Sequence, residues 1–134
     1  MSEPLIRISE VMRTNVLTVS RMATVQEAIN LMQENRLSSL AVERKDANDE
    51  YGILLISDIA KNVIASGKSA ERTNVYEIMT KPVLSVQPEM TIRNGIRILV
   101  NFGISRALVV DTERKPVGIV TLRDMVLRYA EKKD

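Results

Sequence analysis

The sequence predicts an α+β fold made of two β-α-β-β-α units related by pseudo-twofold symmetry. An internal repeat is the main reason. Glu10-Val11-Met12 and Val16–Val19 return 67 residues later as Glu77-Ile78-Met79 and Val83–Val86. The register continues through Thr24/Thr91, Ile29/Ile96, Leu37-Ser38/Ile104-Ser105 and Val42/Val109. After a one-residue contraction, Gly52-Ile53 and Asp58 align with Gly118-Ile119 and Asp124. Such a duplication implies two similar halves facing each other. Periodicity supplies the second reason, because each half switches from short apolar runs to helical spacing and back.

The elements follow in order. Val16–Val19 is a brief strand. Thr24-Val25-Gln26-Glu27 has the Thr-x-x-Glu form of a capping box, and Val25, Ala28, Ile29 and Met32 continue at helical spacing. Leu40–Val42 and Gly52–Ile56 flank the polar residues 45–50 and predict an antiparallel pair. Ser57-Asp58 opens a second helix through Ile59, Val63 and Ile64. The second half repeats this with strands at 83–86, 107–110 and 116–120 and helices at 91–102 and 122–130. The expected organisation is one repeat over 1–66, a Gly/Ser/charge-rich linker over 67–74 and a second repeat over 75–134. Asn74, three residues before Glu77, reads as the cap of a short turn. Neither half is large enough for a comfortable core, so the two are expected to fold together.

Composition excludes several functions. The 134 residues include no Cys and no His, which removes disulfides and the usual thiolate and imidazole metal ligands. It also removes the commonest catalytic bases and nucleophiles, and no Gly-x-x-x-x-Gly-Lys loop is present, so the expectation is not an enzyme. Nineteen basic against 17 acidic residues give a net charge of +2, no argument for nucleic-acid binding. No run of apolar residues is long enough to span a bilayer, and Met1–Pro4 has no targeting pattern, so a cytoplasmic protein is expected.

The chain resembles a tandem pair of CBS domains, a Bateman module. The resemblance is carried by Met79-Thr80-Lys81-Pro82-Val83, by residues 103–111 (GISRALVVD) and by residues 118–125 (GIVTLRDM). Weaker counterparts stand at 12–19, 36–42 and 52–59. The resemblance implies an adenosyl ligand, namely AMP, ADP, ATP or S-adenosylmethionine, held between the repeats, with no required cofactor. It places Thr121 and Asp124 on the ribose, and Arg13, Thr14, Val16, Leu37 and Ser38 on the base side. Arg106 takes the position of a phosphate-binding arginine. A carboxylate accepts from both ribose hydroxyls, and an arginine forks onto phosphate.

A second set comprises Asp58, Thr80, Lys81, Val83, Ile104 and Ser105. There Leu55 replaces the threonine equivalent to Thr121, so two clefts of unequal quality are expected. Simpler roles exist for the same residues. Thr121-x-x-Asp124 is also a serviceable helix cap, Arg106 by type alone is a surface charge, and Ser38 is a strand-entry residue. The resemblance further implies a homodimer. Ile98 and Val100 lie beyond the main apolar stripe of the helix at 91–102, and a partner helix would cover them. The output would pass to a separate protein partner. The alternative is a dimerisation scaffold that keeps the fold without nucleotide affinity.

Overall fold

The computed structural model describes residues 5–80 and 84–131. Lys81 and Val83 of the second candidate set lie outside the described residues. The elements run β1 (Thr18–Val19), α1 (Val25–Asn35), β2 (Ser39–Val42), β3 (Gly52–Leu55) and α2 (Ile56–Ile59), then β4 (Ser85–Val86), α3 (Ile92–Phe102), β5 (Arg106–Val110), β6 (Pro116–Thr121) and α4 (Leu122–Glu131). Two three-stranded mixed sheets result, ordered β1-β2-β3 and β4-β5-β6. In each, the first strand pairs parallel and the third antiparallel to the middle one. The middle strand β2 is buried along its whole length, which is why it reads as a continuous run of small and apolar residues, Ser39-Leu40-Ala41-Val42.

The compact units do not coincide with the sequence repeats. Residues 5–16 fold with residues 84–131, and residues 17–80 form the other unit. Each unit therefore consists of the body of one repeat and the leading segment of the other. In the first, Ile6 and Ile8 join Val86, Ile92, Leu99, Val109, Val120 and Met125 in one core. In the second, Val75 and Ile78 join Val25, Met32, Leu40, Leu54, Ile59 and Val63. Ile8 and Val75, equivalent in the repeat, are both fully buried.

The main chain explains the placement. The first N–H groups of a helix lack partners inside it. In α3 the Ile92 N–H donates to Ile6 O (2.9 Å), and in α1 the Val25 N–H donates to Thr73 O (2.8 Å). Each leader thus satisfies the start of a helix, while Thr24 and Glu27 complete the capping box of α1 at 3.1 and 2.8 Å. Thr91 caps α3 by accepting from Asn94 N–H at 3.3 Å. The residues expected to form a linker are held in the same manner: Ala70 O accepts from Gln26 N–H (2.9 Å), and buried Thr73 donates its hydroxyl to Ser69 O (2.8 Å).

Each leader then runs beside the third strand of its sheet. Arg13 and Ile119 exchange two backbone hydrogen bonds of 2.9 Å, and Thr80 and Ile53 exchange two of 2.9 and 3.2 Å. The neighbouring strand residues are the repeated glycines. A Cβ on Gly118 would lie 2.7 Å from Met12 Sδ and 3.0 Å from Arg13 O; on Gly52 it would meet Met79 Sδ at 3.0 Å and Thr80 O at 3.3 Å.

Some local details differ from the sequence expectations. Asn74 does not cap with its side chain, which donates instead to Met22 O (2.8 Å); Glu77 reaches back to accept from the Asn74 N–H (2.8 Å). Ile98 is half-buried against the core containing Ile92 and Leu99, so the excess apolar surface of α3 comes from Val100 and Phe102, 61% and 67% exposed. The helix after β3 begins one residue early at Ile56 and widens into a π-helical turn over Ala60–Ile64, leaving Ile64 exposed.

Two predictions follow from the backbone. Gly118→Ala should lower stability by about 1–3 kcal/mol, the usual cost of overpacking, because the carbonyl of Arg13 has no rotamer with which to yield. Gly52→Ala should cost less, because both the methionine sulfur and the facing carbonyl stand about 0.3 Å farther off, at 3.0 and 3.3 Å. Denaturant titration of the two variants checks the ranking. Arg36 ends α1 at φ 55°, where equivalent Gly103 ends α3 at φ 65°. Arg36→Gly should raise stability by about 0.5–1 kcal/mol, read as a shift in the denaturation midpoint.

Candidate functional site

Asp124 lies in the first turn of α4, where a carboxylate is favoured by the helix dipole. Its N–H donates to Thr121 Oγ1 at 3.0 Å, so the cap expected from Thr121-x-x-Asp124 is formed. The carboxylate meets the leader. Arg13 Nε donates to Oδ2 at 2.9 Å and Nη2 to Oδ1 at 3.3 Å. The family resemblance implied one site for Arg13 and Asp124, and within their unit the two are in direct contact.

Hydrogen bonding from Arg13 holds the Asp124 carboxyl below its ordinary range; partial burial opposes this, and Thr121 and the nearby charges of Arg13 and Arg123 add to it. The same pair raises the Arg13 guanidinium above its ordinary value. The Arg13 side chain is nevertheless 66% exposed, against 18% for Asp124. An ion pair this open to water contributes about 0.2–1 kcal/mol. A ligand hydrogen-bonding to the carboxylate, at about 1.5–3 kcal/mol, can displace it.

Around this pair lies an open groove of about 400 Å³ lined by Glu10, Val11, Arg13, Asp124, Leu127, Arg128 and Glu131. A second arginine contact ties the leader to α4. Arg128 Nη2 lies 3.4 Å from Glu10 Oε1, and Nη1 donates to Glu10 O at 3.2 Å. Sequence reading missed Glu10 and Arg128. Arg128 is one helical turn beyond Asp124, but nothing local pairs it with a glutamate 118 positions away.

Of the other residues in this set, exposed Thr14 and half-buried Val16 follow Arg13 in the same unit. Arg106 opens β5 directly opposite Thr121 in the β5–β6 register. Leu37 and Ser38 belong to the unit of residues 17–80. There Ser38 O accepts from Ile56 N–H at 3.0 Å, and Leu37 borders an open apolar groove of about 340 Å³ with Ile29, Met32, Gln33, Arg36 and Ile56.

The second set is arranged differently. Asp58 Oδ2 accepts from the backbone N–H of Leu55 at 3.0 Å. Removing that bond would leave a half-buried N–H without its partner, at about 1–3 kcal/mol. The Asp58 carboxylate is therefore committed to its own helix, whereas Asp124 is held by a solvent-exposed side chain. Thr80 is exposed and pairs through its backbone with Ile53; Ile104 and Ser105 belong to the other unit, where Ser105 O accepts from Leu122 N–H at 2.9 Å.

Comparison with known proteins bears on this geometry. The CBS domain profile matches residues 8–65 and 75–131. The uncharacterized protein MK0525 of Methanopyrus kandleri is 29% identical over 121 residues, covering 90% of this chain and 61% of that protein. The chain spans 22% and 43% of two further relatives, so several relatives are considerably longer. Among solved structures, the hexameric CBS-CP12 protein from bloom-forming cyanobacteria has a TM-score of 0.89 and 34% identity, covering 97% of this chain and 72% of that one. The CBS domain pair of protein MJ0100, solved with 5′-methylthioadenosine and S-adenosyl-L-methionine, has a TM-score of 0.80 and 25% identity, covering 97% and 100%. No helix among the described residues is long and apolar enough to cross a membrane. With both halves matched in the order and spacing of the repeat, the chain belongs to the CBS-domain family as a tandem pair.

Proposed function

We propose that this CBS pair is a cytoplasmic regulatory module that binds an adenosyl ligand and signals to a separate partner protein. The observation that carries the proposal is the Asp124 carboxylate, placed at the start of α4 and held by an exchangeable arginine. Its two oxygens suit the adjacent hydroxyls of a ribose. Support comes from the MJ0100 pair, whose structure contains two adenosyl compounds. In this reading Thr121 and Asp124 hold the sugar and Arg106 takes a phosphate. Arg13, Thr14 and Val16 of the same unit form the remainder of the site there. Aromatic residues are 3% of the chain, so adenine would rest on aliphatic side chains such as Val16. The module itself catalyses nothing; the ligand changes packing and the partner reads the change.

The second reading, a dimerisation scaffold without nucleotide affinity, is favoured by Leu55 and by the commitment of Asp58 to its own helix. Isothermal titration with AMP, ADP, ATP and S-adenosylmethionine separates the two, since the scaffold binds none of them.

Asp124→Ala should weaken adenosine-nucleotide binding by about 1.5–3 kcal/mol, the range for a hydrogen bond to a charged group. Asp58→Ala should weaken it far less. Arg106→Ala should affect phosphorylated ligands and spare adenosine. Equal losses from the two aspartate variants would remove the ranking of the sites. A homodimer is also proposed, with Val100 and Phe102 of α3 in its interface. Light scattering at micromolar concentration should give twice the 15.1 kDa chain mass, and Phe102→Glu should shift it toward one chain.

A further inference from the structure

The ion pair at the start of α4 bears on which adenosyl compounds the module accepts. Arg13 occupies both oxygens of Asp124, the two atoms that the ribose hydroxyls would use. Its main chain is fixed by the two hydrogen bonds to Ile119, so only the side chain can leave. When a sugar takes the carboxylate, the guanidinium is released but stays within its own side-chain length of the ligand. What it meets next depends on the 5′ substituent. A nucleotide carries a phosphate there, on the same sugar that Asp124 holds, and a phosphate receives a guanidinium as a two-pronged partner. Adenosine and 5′-methylthioadenosine offer no anion. S-adenosylmethionine places a sulfonium cation at the corresponding position.

The surroundings point the same way. Asp124 is flanked by Arg123 in sequence and by Arg13 in space, and the remaining arginine of the groove, Arg128, is matched by Glu10. Of the two arginines that line the groove, Arg13 is the one left to be matched once the sugar hydroxyls take the carboxylate. From this arrangement, and resting on the ribose-binding role of Asp124 given above, we infer that Arg13 is a specificity-determining residue that makes the module select nucleoside 5′-phosphates over uncharged nucleosides and over S-adenosylmethionine.

The arrangement makes Arg13 act in opposite directions on the two ligand classes. It competes with every ribose for Asp124, yet contributes a new contact only when phosphate is present. Isothermal titration of the full chain and of Arg13→Gln with AMP, adenosine, 5′-methylthioadenosine and S-adenosylmethionine reads both effects. The parent should bind AMP at least about tenfold more tightly than adenosine, the scale of one hydrogen-bonded charge contact. In Arg13→Gln, AMP should weaken while adenosine tightens or holds, and the preference should shrink to the part that Arg106 supplies. A purely structural role for Arg13 would weaken all four ligands alike, and that result overturns the inference. So does a parent that binds adenosine or S-adenosylmethionine as tightly as AMP; the ribose-binding reading then stands while the specificity role falls. Absence of binding by any adenosyl compound to either protein overturns both. A thermal melt of Arg13→Gln within a few degrees of the parent shows that the leader still pairs with Ile119, because those bonds are main-chain.

Discussion

The pairing of each leader with the third strand of a sheet is the interaction on which the remaining structure depends. It places Ile8 and Val75 at the centre of the cores, where a fully buried aliphatic side chain contributes about 1.5–3 kcal/mol. It completes the N-termini of α1 and α3 with main-chain carbonyls. It requires Gly52 and Gly118, since a side chain there would meet the approaching backbone. It also carries Arg13 to Asp124. One short run of extended chain thus links core formation, helix starts and the candidate site.

The two halves diverge at one residue with consequences for a whole helix start. Thr121 offers a hydroxyl to the Asp124 N–H, and the Asp124 carboxylate faces outward to Arg13. Leu55 has no hydroxyl, and Asp58 turns its carboxylate back to the Leu55 N–H. The same acidic residue pairs with an arginine in one half and caps its own helix in the other. The difference follows from hydrogen-bond inventory: a helix start must be satisfied, and the side chains present decide which group does it. Downstream, α4 stays α-helical while the counterpart helix widens into a π turn; nothing in the contacts explains that second difference.

The residues of each candidate set came from the family resemblance, and the repeat showed how the two sets differ. Gly118, Thr121 and Asp124 stand in a short motif, and their counterparts Gly52, Leu55 and Asp58 gave the inequality of the halves directly. Burial on α3 was less legible. Ile98 reads as surplus on a helical wheel but packs partly against the core containing Ile92 and Leu99, because neighbouring side chains reach it. Asn74 has the type of a cap, yet its carboxamide bonds to Met22 O, 52 positions earlier. Local pattern names the residue that can cap; it does not say which distant carbonyl competes for it.

By itself the sequence determined the element order and the antiparallel strand pair, since these follow from periodicity, capping residues and a repeat with one small gap. Its motifs carried the resemblance to the family. The parallel pairing of each first strand came from the structure. Only the tertiary structure decided which segments make a folded unit. The repeat boundary and the unit boundary differ because Ile6, Ile8, Val75 and Ile78 are buried in the core formed by the body of the other repeat, a placement made by packing and not by adjacency in the chain. The Arg13–Asp124 and Glu10–Arg128 contacts belong to that same level. Each joins charges more than a hundred positions apart, and electrostatic attraction acts on distance in space, which no local pattern encodes.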